Sequence, residues 1–235
     1  MNLKHRTYKS ELLDQDDIPV DDLKRNLSEL NFINTWLGGH KISVCGLEQL
    51  VTSSKEITVC EIGCGGGDNI SALYSWCNNN QLKVNFIGID MKRECIDYAK
   101  DTSEVPGVSW IISDYKKVPF KVKPDVIFSS LFCHHFTEEQ LVDQLNWMRE
   151  NSAKGFFIND LQRNWLAYFL IKWLTRFFSK SYLVKNDAPL SVARSFKKEE
   201  WRKLFRLAKI ESYTIRWKWA FRYLVVYKHE QRKSI

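Results

Sequence analysis

The sequence predicts an α/β fold with a mostly parallel sheet, because short apolar runs alternate with helix-compatible segments. Runs of this kind lie at residues 57–62, 84–90 and 124–130. The first run leads into a glycine-rich turn and then into a helix-compatible segment at 69–77. Strand, glycine turn and helix in this order form the entrance to a nucleotide-type site in α/β sheets.

The remaining elements are predicted from apolar periodicity and from capping and turn residues. Helices are expected at about 21–36, 44–51, 93–100, 137–150, 165–180 and 197–208. Strands are expected at 108–112 and 154–160, and residues 210–217 and 221–227 predict a terminal antiparallel hairpin. Residues 186–196 are expected to form an irregular link.

The charge is unevenly distributed along the chain. The net charge is +7, yet residues 161–235 carry 18 Lys and Arg against 5 Asp and Glu, and 16 of the 32 aromatic residues. A basic, aromatic C-terminal third is compatible with an anionic membrane surface, an anionic or aromatic substrate, or nucleic acid. The six cysteines form no C-x-x-C pair, so we expect reduced thiols, a cytoplasmic protein and no metal site.

The acidic residues beside the glycine turn indicate the charge of the ligand. Glu61 precedes the turn, Asp68 follows it, and Asp90 ends the second apolar run. Carboxylates here would repel a pyrophosphate but would suit the sulfonium and ammonium groups of S-adenosylmethionine. Asp90 stands near the spacing at which a carboxylate accepts hydrogen bonds from ribose hydroxyls. Asp68 is equally compatible with a helix N-cap, and Asp90 with a cap of the next helix.

Glu61-x-Gly63-x-Gly65-x-Gly67 followed by Gly88-Ile-Asp90 resembles the class I S-adenosylmethionine-dependent methyltransferases over residues 55–160. The resemblance implies a Rossmann-like, seven-stranded sandwich with an antiparallel last strand and an N-terminal helical cap. It also implies that the acid after the third strand, Asp114, accepts the adenine amino group; a plain turn-forming role is the alternative. The expected cofactor contacts are Glu61, Gly63, Gly65, Gly67, Asp68, Asp90, Met91, Asp114, Tyr115 and Ser130.

The end of the fourth strand is expected to face the transferred methyl group. It reads Ser129-Ser-Leu-Phe, whereas enzymes that methylate exocyclic amines of bases usually have D/N-P-P-Y/F there, so nucleic acid is an unfavoured substrate. His134 and His135 follow, and an imidazole can take a proton from an attacking hydroxyl. Packing against the cofactor or capping of the next helix is the alternative for this pair.

Four polar residues near the end of the fifth strand and beyond are candidate substrate contacts: Asn159, Asp160, Arg163 and Arg194. The segment at about 165–180 predicts an amphipathic helix that is too short and too charged to span a bilayer. Such a helix can pack on the sheet, form a lid over an apolar substrate, or lie on a membrane.

The sequence therefore predicts residues 1–54 as an arm with cap helices and residues 55–235 as a methyltransferase domain. Short similarities to a bacterial subgroup associated with polyketide and phenolic-lipid biosynthesis favour O-methylation of a hydroxylated or phenolic small molecule. Peripheral membrane contact is kept open. The alternative functions are an RNA methyltransferase and a membrane-recruited adaptor without activity.

Overall fold

A computed structural model describes residues 3–15, 17–51 and 56–230. Its core is one seven-stranded sheet with the strand order β3-β2-β1-β4-β5-β7-β6. The strands are β1 (Ile57–Ile62), β2 (Val84–Asp90), β3 (Ser109–Ile112), β4 (Val126–Ser130), β5 (Gly155–Leu161), β6 (Tyr213–Lys218) and β7 (Arg222–Lys228). The predicted domain boundary at 54/55 lies outside the described residues and stays a prediction.

Strand direction confirms the predicted fold class. Strands β1 to β5 pair in parallel, whereas β7 pairs antiparallel with both β5 and β6. The carboxyl ends of β1, β2 and β4 therefore meet at one edge of the sheet, where α/β proteins bind their ligands. The structure is the Rossmann-like sandwich that the resemblance implied.

Eight α-helices flank the sheet in the described part of the chain: α1 (Val20–Trp36), α2 (Gly39–Leu50), α3 (Asp68–Asn79), α4 (Arg93–Thr102), α5 (Glu138–Asn151), α6 (Trp165–Phe178), α7 (Tyr182–Arg194) and α8 (Lys198–Leu207). Helices α5 and α8 cover the face that includes Ile127 and Phe156. Helices α2, α3 and α4 cover the opposite face, which includes Phe128 and Phe157. Strands buried on both faces explain why the apolar runs are continuous rather than alternating.

Two local predictions are wrong. Residues 186–196 are mostly helical, because α7 continues through Pro189 to Arg194. The Ser181 hydroxyl caps this helix at Val184 N, and seven of its side chains are buried, so packing outweighs the proline. The second helix begins at Gly39 rather than Val44, directly after Gly38 takes a left-handed conformation with φ of 75°.

The N-terminal arm, residues 3–15, is fastened to α7. Thr7 N donates to Ala193 O, and the Asp187 carboxylate accepts from the backbone N–H groups of Leu12 and Leu13. The arm thus lies across the same end of the sheet as the glycine turn. Among the described helices, none has both the length and the apolar character that crossing a membrane requires.

Candidate functional site

A cavity of about 900 Å³ opens at the carboxyl ends of β1, β2 and β4. The glycine turn forms its floor, and the arm and α1 contribute Leu13, Leu27 and Leu30 to its walls. Nine of the ten predicted cofactor contacts line it: Glu61, Gly63, Gly65, Asp68, Asp90, Met91, Asp114, Tyr115 and Ser130. Gly67 does not line the cavity, and a Cβ there would meet the Trp110 ring at 2.5 Å.

The turn after β1 requires glycine on steric grounds. Gly63 has φ of 67°, and a Cβ there would lie 2.3 Å from Cδ2 of Phe132. Gly65 has φ of 50°, and its N–H donates to Asp90 Oδ2 at 2.9 Å. The turn is therefore locked to the end of β2 before any ligand binds, and its backbone forms an open surface at the cavity.

Glu61 is the most unusual group in this cavity. Its side chain is 1% exposed, and Oε2 has no hydrogen-bond partner among the described residues. Burial, with the charges of Asp68 and Asp90, raises the pKa of this carboxyl well above its usual range. A buried acceptor without a partner is costly, so Glu61 favours a ligand that brings hydrogen-bond donors and positive charge.

Asp68 is not the cap of α3, because Gly67 takes that position. Asp68 Oδ2 instead lies 2.8 Å from His40 Nε2 and accepts from Asn34 Nδ2 at 3.1 Å. Burial would raise the pKa of Asp68, but the hydrogen bond and charge of His40 outweigh it and hold the pKa below its ordinary value. This carboxylate therefore joins the cap helices to the glycine turn as an anion.

Asp90 and Asp114 each use a carboxylate oxygen for the local backbone. Asp90 Oδ1 accepts from Lys92 N at 2.9 Å, and Asp114 Oδ1 accepts from Lys116 N at 3.0 Å. Asp114 thus has the turn-forming role given as its alternative, whereas Asp90 is not the cap of α4, because Lys92 takes that position. Tyr115 OH and Ser130 Oγ also lack partners among the described residues, which adds two polar atoms that a ligand can satisfy.

A second cavity, of about 330 Å³, adjoins the first. The two cavities share Leu13, Leu30, Asn34, Leu131 and His135 as lining residues. Apolar side chains dominate the walls of the second cavity: Leu37, Leu161, Leu170, Ile171, Leu174, Val184 and Phe221 are among them. We call the larger space the cofactor cavity and the smaller, mostly apolar space the acceptor cavity, after the molecules that we propose for them.

His134 and His135 lie where the two cavities meet. The His134 side chain is 2% exposed, and its Nδ1 lies 2.8 Å from Asp160 Oδ1. His135 Nδ1 lies 3.0 Å from Asp14 Oδ1. An ionised carboxylate can only accept, so each Nδ1 donates, and each Nε2 is directed toward the Glu11 carboxylate, at 3.6 Å for His134 and 3.8 Å for His135.

The four predicted substrate contacts lie behind the cavity walls, and each is engaged by protein groups. Asn159 Nδ2 donates to Gly39 O and Ser43 Oγ, both at 2.9 Å. Asp160 holds His134. Arg163 donates to Ser195 O and Glu200 Oε1, both at 2.5 Å.

Arg194 donates to the carbonyl oxygens of His134 and His135 at 3.2 and 3.0 Å, and to Asp14 Oδ2 at 3.0 Å. It therefore clamps the arm onto the histidine pair. None of Asn159, Asp160, Arg163 and Arg194 lines either of the two cavities as described. Their direct contact with a substrate stays a prediction, and their visible contacts position other residues.

Sequence reasoning missed the polar groups that the N-terminal third contributes. Glu11 lies 3.6 Å from His134 Nε2, while Asn34 and His40 hold Asp68. Arg222, the first residue of β7, is 3% exposed and donates to Asn34 Oδ1 at 2.7 Å. One indication of these contacts was present in the sequence: in the family that it resembles, helices before the first strand cover the cofactor pocket.

Comparison with known proteins agrees with this geometry. A family model described as a methyltransferase domain matches residues 53–209. The plantazolicin methyltransferase BpumL, in complex with a triazolic desmethylPZN analog and SAH, is 17% identical over 84% of this chain and 80% of its own, with a TM-score of 0.62. Magnesium protoporphyrin IX methyltransferase (ChlM) from Synechocystis PCC 6803 with bound SAH is 13% identical over 92% and 90%, with a TM-score of 0.51.

No curated protein sequence matches the chain. The structural neighbours share the fold, and the family model covers more than half of the sequence. The carboxylates around the glycine turn fit the cofactor that this family uses. The chain thus belongs to the methyltransferase-domain family and is an S-adenosylmethionine-dependent methyltransferase.

Proposed function

We propose that the protein methylates an oxygen of an apolar, hydroxylated small molecule, such as a phenolic polyketide or a lipid-like phenol. The observation that carries this proposal is the apolar acceptor cavity, which adjoins the cofactor cavity and meets it at His135. Mostly apolar walls suit an apolar acceptor better than a nucleotide, so RNA is disfavoured as the acceptor.

S-adenosylmethionine supplies an activated methyl group when it is bound. The residues of this chain would hold it by charge and shape: Glu61 with its free oxygen toward the ammonium, Asp90 toward the ribose hydroxyls and Asp114 toward the adenine. Glu61 and Asp90 both have raised pKa values, chiefly through burial, and a cation beside them favours their ionised forms.

The acceptor would lie between α1, α6 and α7, with its hydroxyl at the histidine pair. Apolar walls exclude water there, and alignment of the oxygen with the methyl group lowers the barrier of such a transfer. Nε2 of either ring, in its neutral form, is a candidate acceptor for the hydroxyl proton as the oxygen–methyl bond forms and the methyl–sulfur bond breaks. Asp160 and Asp14 would orient the two rings for this role.

Peripheral membrane contact belongs to the same proposal, because the elements around the acceptor cavity expose many aromatic side chains. These residues are Phe32, Trp36, Trp165, Phe169, Trp173, Phe177, Phe178, Trp217 and Trp219. Exposed basic residues, Lys172, Arg176 and Lys180, accompany them on and after α6. Aromatic and basic residues on one amphipathic helix favour an anionic bilayer surface, from which an apolar acceptor could enter the cavity.

The test of the reaction is incubation of host extract with the protein and methyl-labelled cofactor, followed by mass spectrometry of the organic and RNA fractions. The expected result is one labelled product in the organic fraction that is stable to mild base, as methyl ethers are. A parallel reaction with Glu61→Gln should give little product. Label confined to RNA, or no label with the parent protein, would refute the proposal.

The test of membrane contact is co-sedimentation with vesicles of phosphatidylcholine and phosphatidylserine. A Phe177→Ser/Phe178→Ser double variant should bind vesicles several-fold more weakly, because two exposed apolar anchors are lost. Val122→Ser is the matched control, since Val122 is exposed but lies far from α6 in the sequence. Equal binding by all three proteins would exclude α6 as the contact.

A further inference from the structure

We propose that Glu11, His134 and His135 form a binding site for one divalent transition-metal ion, such as Zn²⁺, at the wall of the acceptor cavity. Each of the three offers one ligand atom, and all three atoms lie within 4.8 Å of one another. What the ion would do rests on the proposed function, in which its coordination of the acceptor hydroxyl would replace proton transfer to the histidine rings, whereas its binding does not. The site runs against the expectation of no metal, which was based on the cysteines.

The distances between ligand atoms suit a single small ion. Glu11 Oε1 lies 3.6 Å from His134 Nε2, and Glu11 Oε2 lies 3.8 Å from His135 Nε2. Ligand atoms bound about 2.1 Å from a tetrahedral ion are roughly 3.4 Å apart. Both contacts of Glu11 are within about half an ångström of that separation, and no two of the three ligand atoms are more than 4.8 Å apart.

The second layer of contacts is the kind that metal-binding histidines have. His134 Nδ1 is held by Asp160 at 2.8 Å, and His135 Nδ1 by Asp14 at 3.0 Å. In the neutral form of each ring, a proton held on Nδ1 by the carboxylate leaves the lone pair of Nε2 for a metal ion. Glu11 Oε1 accepts from Ser191 Oγ at 2.9 Å, and the Glu11 carboxylate faces Nε2 of both histidines, so a cation at this point would have three converging ligands.

Local charge also favours a cation. Four carboxylates surround the point: Glu11, Asp14, Asp160 and Asp187. Arg6 and Arg194 each donate to His134 O, and Arg194 also pairs with Asp14 Oδ2 at 3.0 Å, so Asp14 already has a cationic partner. Arg194 Nε remains 3.8 Å from Glu11 Oε1, longer than a hydrogen bond.

Three protein ligands leave a coordination position open, as catalytic rather than structural sites do. Glu11, His134 and His135 all line the acceptor cavity, so this position faces the acceptor. An acceptor hydroxyl would be the natural fourth ligand, and coordination lowers the pKa of such a group. Two imidazoles and one carboxylate suit Zn²⁺ and its neighbours in the first row better than Mg²⁺.

Cobalt titration of the chelator-treated full chain tests the site without any acceptor. We expect one equivalent of Co²⁺ to bind with the visible d–d bands of a nitrogen and oxygen ligand set. Intense thiolate charge-transfer bands would instead indicate binding by cysteines, and would overturn the proposal. So would the absence of saturable binding at micromolar cobalt.

Matched variants locate the ion. Glu11→Gln and His134→Gln should each weaken cobalt binding by about 100-fold, and Asp160→Asn by about 10- to 100-fold. Glu199→Gln removes an exposed carboxylate and His229→Gln a histidine at the opposite end of the sheet, and both should bind cobalt like the parent protein. Cofactor binding and circular dichroism report whether each variant is folded.

The two proposals can fail separately. Methyl transfer that survives chelation, by a protein that binds no cobalt, would overturn the metal site and leave the proposed function intact. One bound cobalt ion without methylation of any small molecule would support the metal site and overturn the proposed function. Unchanged cobalt binding in Glu11→Gln and His134→Gln would show that the arm and the histidines form an ion-pair clasp only.

Discussion

The cofactor cavity and the acceptor cavity are built in different ways. The predicted contacts of the first lie between residues 61 and 130, at the ends of strands β1 to β4. The second draws its walls from residues as distant as Glu11 and Arg222, on the arm, three helices and a hairpin turn. The first cavity is therefore a property of local motifs, and the second a property of how the chain folds over itself.

Substitution of Gly63 should destabilise the protein most, because the shape of the cofactor cavity depends on the glycine turn. Gly63→Ala forces a left-handed alanine into the Phe132 ring, so the free energy of unfolding should fall by about 2–4 kcal/mol. Gly38→Ala is the control, since φ is 75° there but no atom lies within 4 Å of a Cβ. Chemical denaturation should show that Gly38→Ala loses only about 1 kcal/mol of unfolding free energy. Equal losses in Gly38→Ala and Gly63→Ala would contradict the argument that the Phe132 ring excludes a side chain at Gly63.

Loss of the Glu61 charge should act on the cofactor without harming the fold. Glu61→Gln replaces a buried carboxyl whose Oε2 lacks a partner among the described residues with a neutral amide of similar shape, so the free protein should be about as stable, while cofactor affinity falls roughly 10- to 100-fold. Calorimetry with S-adenosylhomocysteine measures the affinity. Glu48→Gln, on the exposed side of α2, should change neither quantity.

The same carboxylates give the cofactor site a pH dependence of defined sign. In the free folded protein the pKa of Glu61 and that of Asp90 lie above their ordinary values, so a cationic ligand must displace protons there. Affinity should therefore rise with pH up to those raised pKa values, by at most about tenfold per unit for each group. For the free protein the sign is opposite: stability is lost as pH rises above the unfolded pKa values.

Calorimetry across this pH range should show proton release on binding, and Glu61→Gln should release fewer protons. A flat affinity profile for the parent protein would mean that Glu61 is already ionised before the ligand arrives. That result would remove the electrostatic basis for the cofactor prediction while leaving the glycine geometry untouched.

Short-range signals explain why the fold and the cofactor cavity could be predicted from the sequence. Glycines, strand-end carboxylates and continuous apolar runs act within a few residues of one another, and the sheet followed from them. The helix through Pro189 was missed because its burial, and the contacts of Asp187 with the arm, depend on tertiary packing. The low helix propensity of proline favours a break in the helix at Pro189, but tertiary packing keeps this segment helical.

The acceptor cavity could not be predicted from the sequence either, because its lining also depends on tertiary packing. Glu11 carries no local signal, and its meeting with His134 joins residues 123 positions apart. Arg163 and Arg194 are candidate substrate contacts in the sequence, yet both are buried and donate to backbone carbonyl oxygens of this chain. Residue type identified the histidine pair, whereas the partners that set its tautomers came only from the folded arrangement.

The smallest effect should come from the wall of the acceptor cavity. Leu170 lines this cavity and is 50% exposed, so Leu170→Gln loses only part of the contact of one apolar side chain. A loss of about 1 kcal/mol corresponds to a roughly fivefold rise in KM for the acceptor, with kcat and cofactor affinity unchanged. Steady-state kinetics with the product-forming acceptor measures the KM.

Lys172→Gln, on the charged stripe of the same helix, should leave KM unchanged in detergent solution. If the lysine variant raised KM as much as the leucine variant, the polar stripe of α6 rather than its apolar face would contact the acceptor.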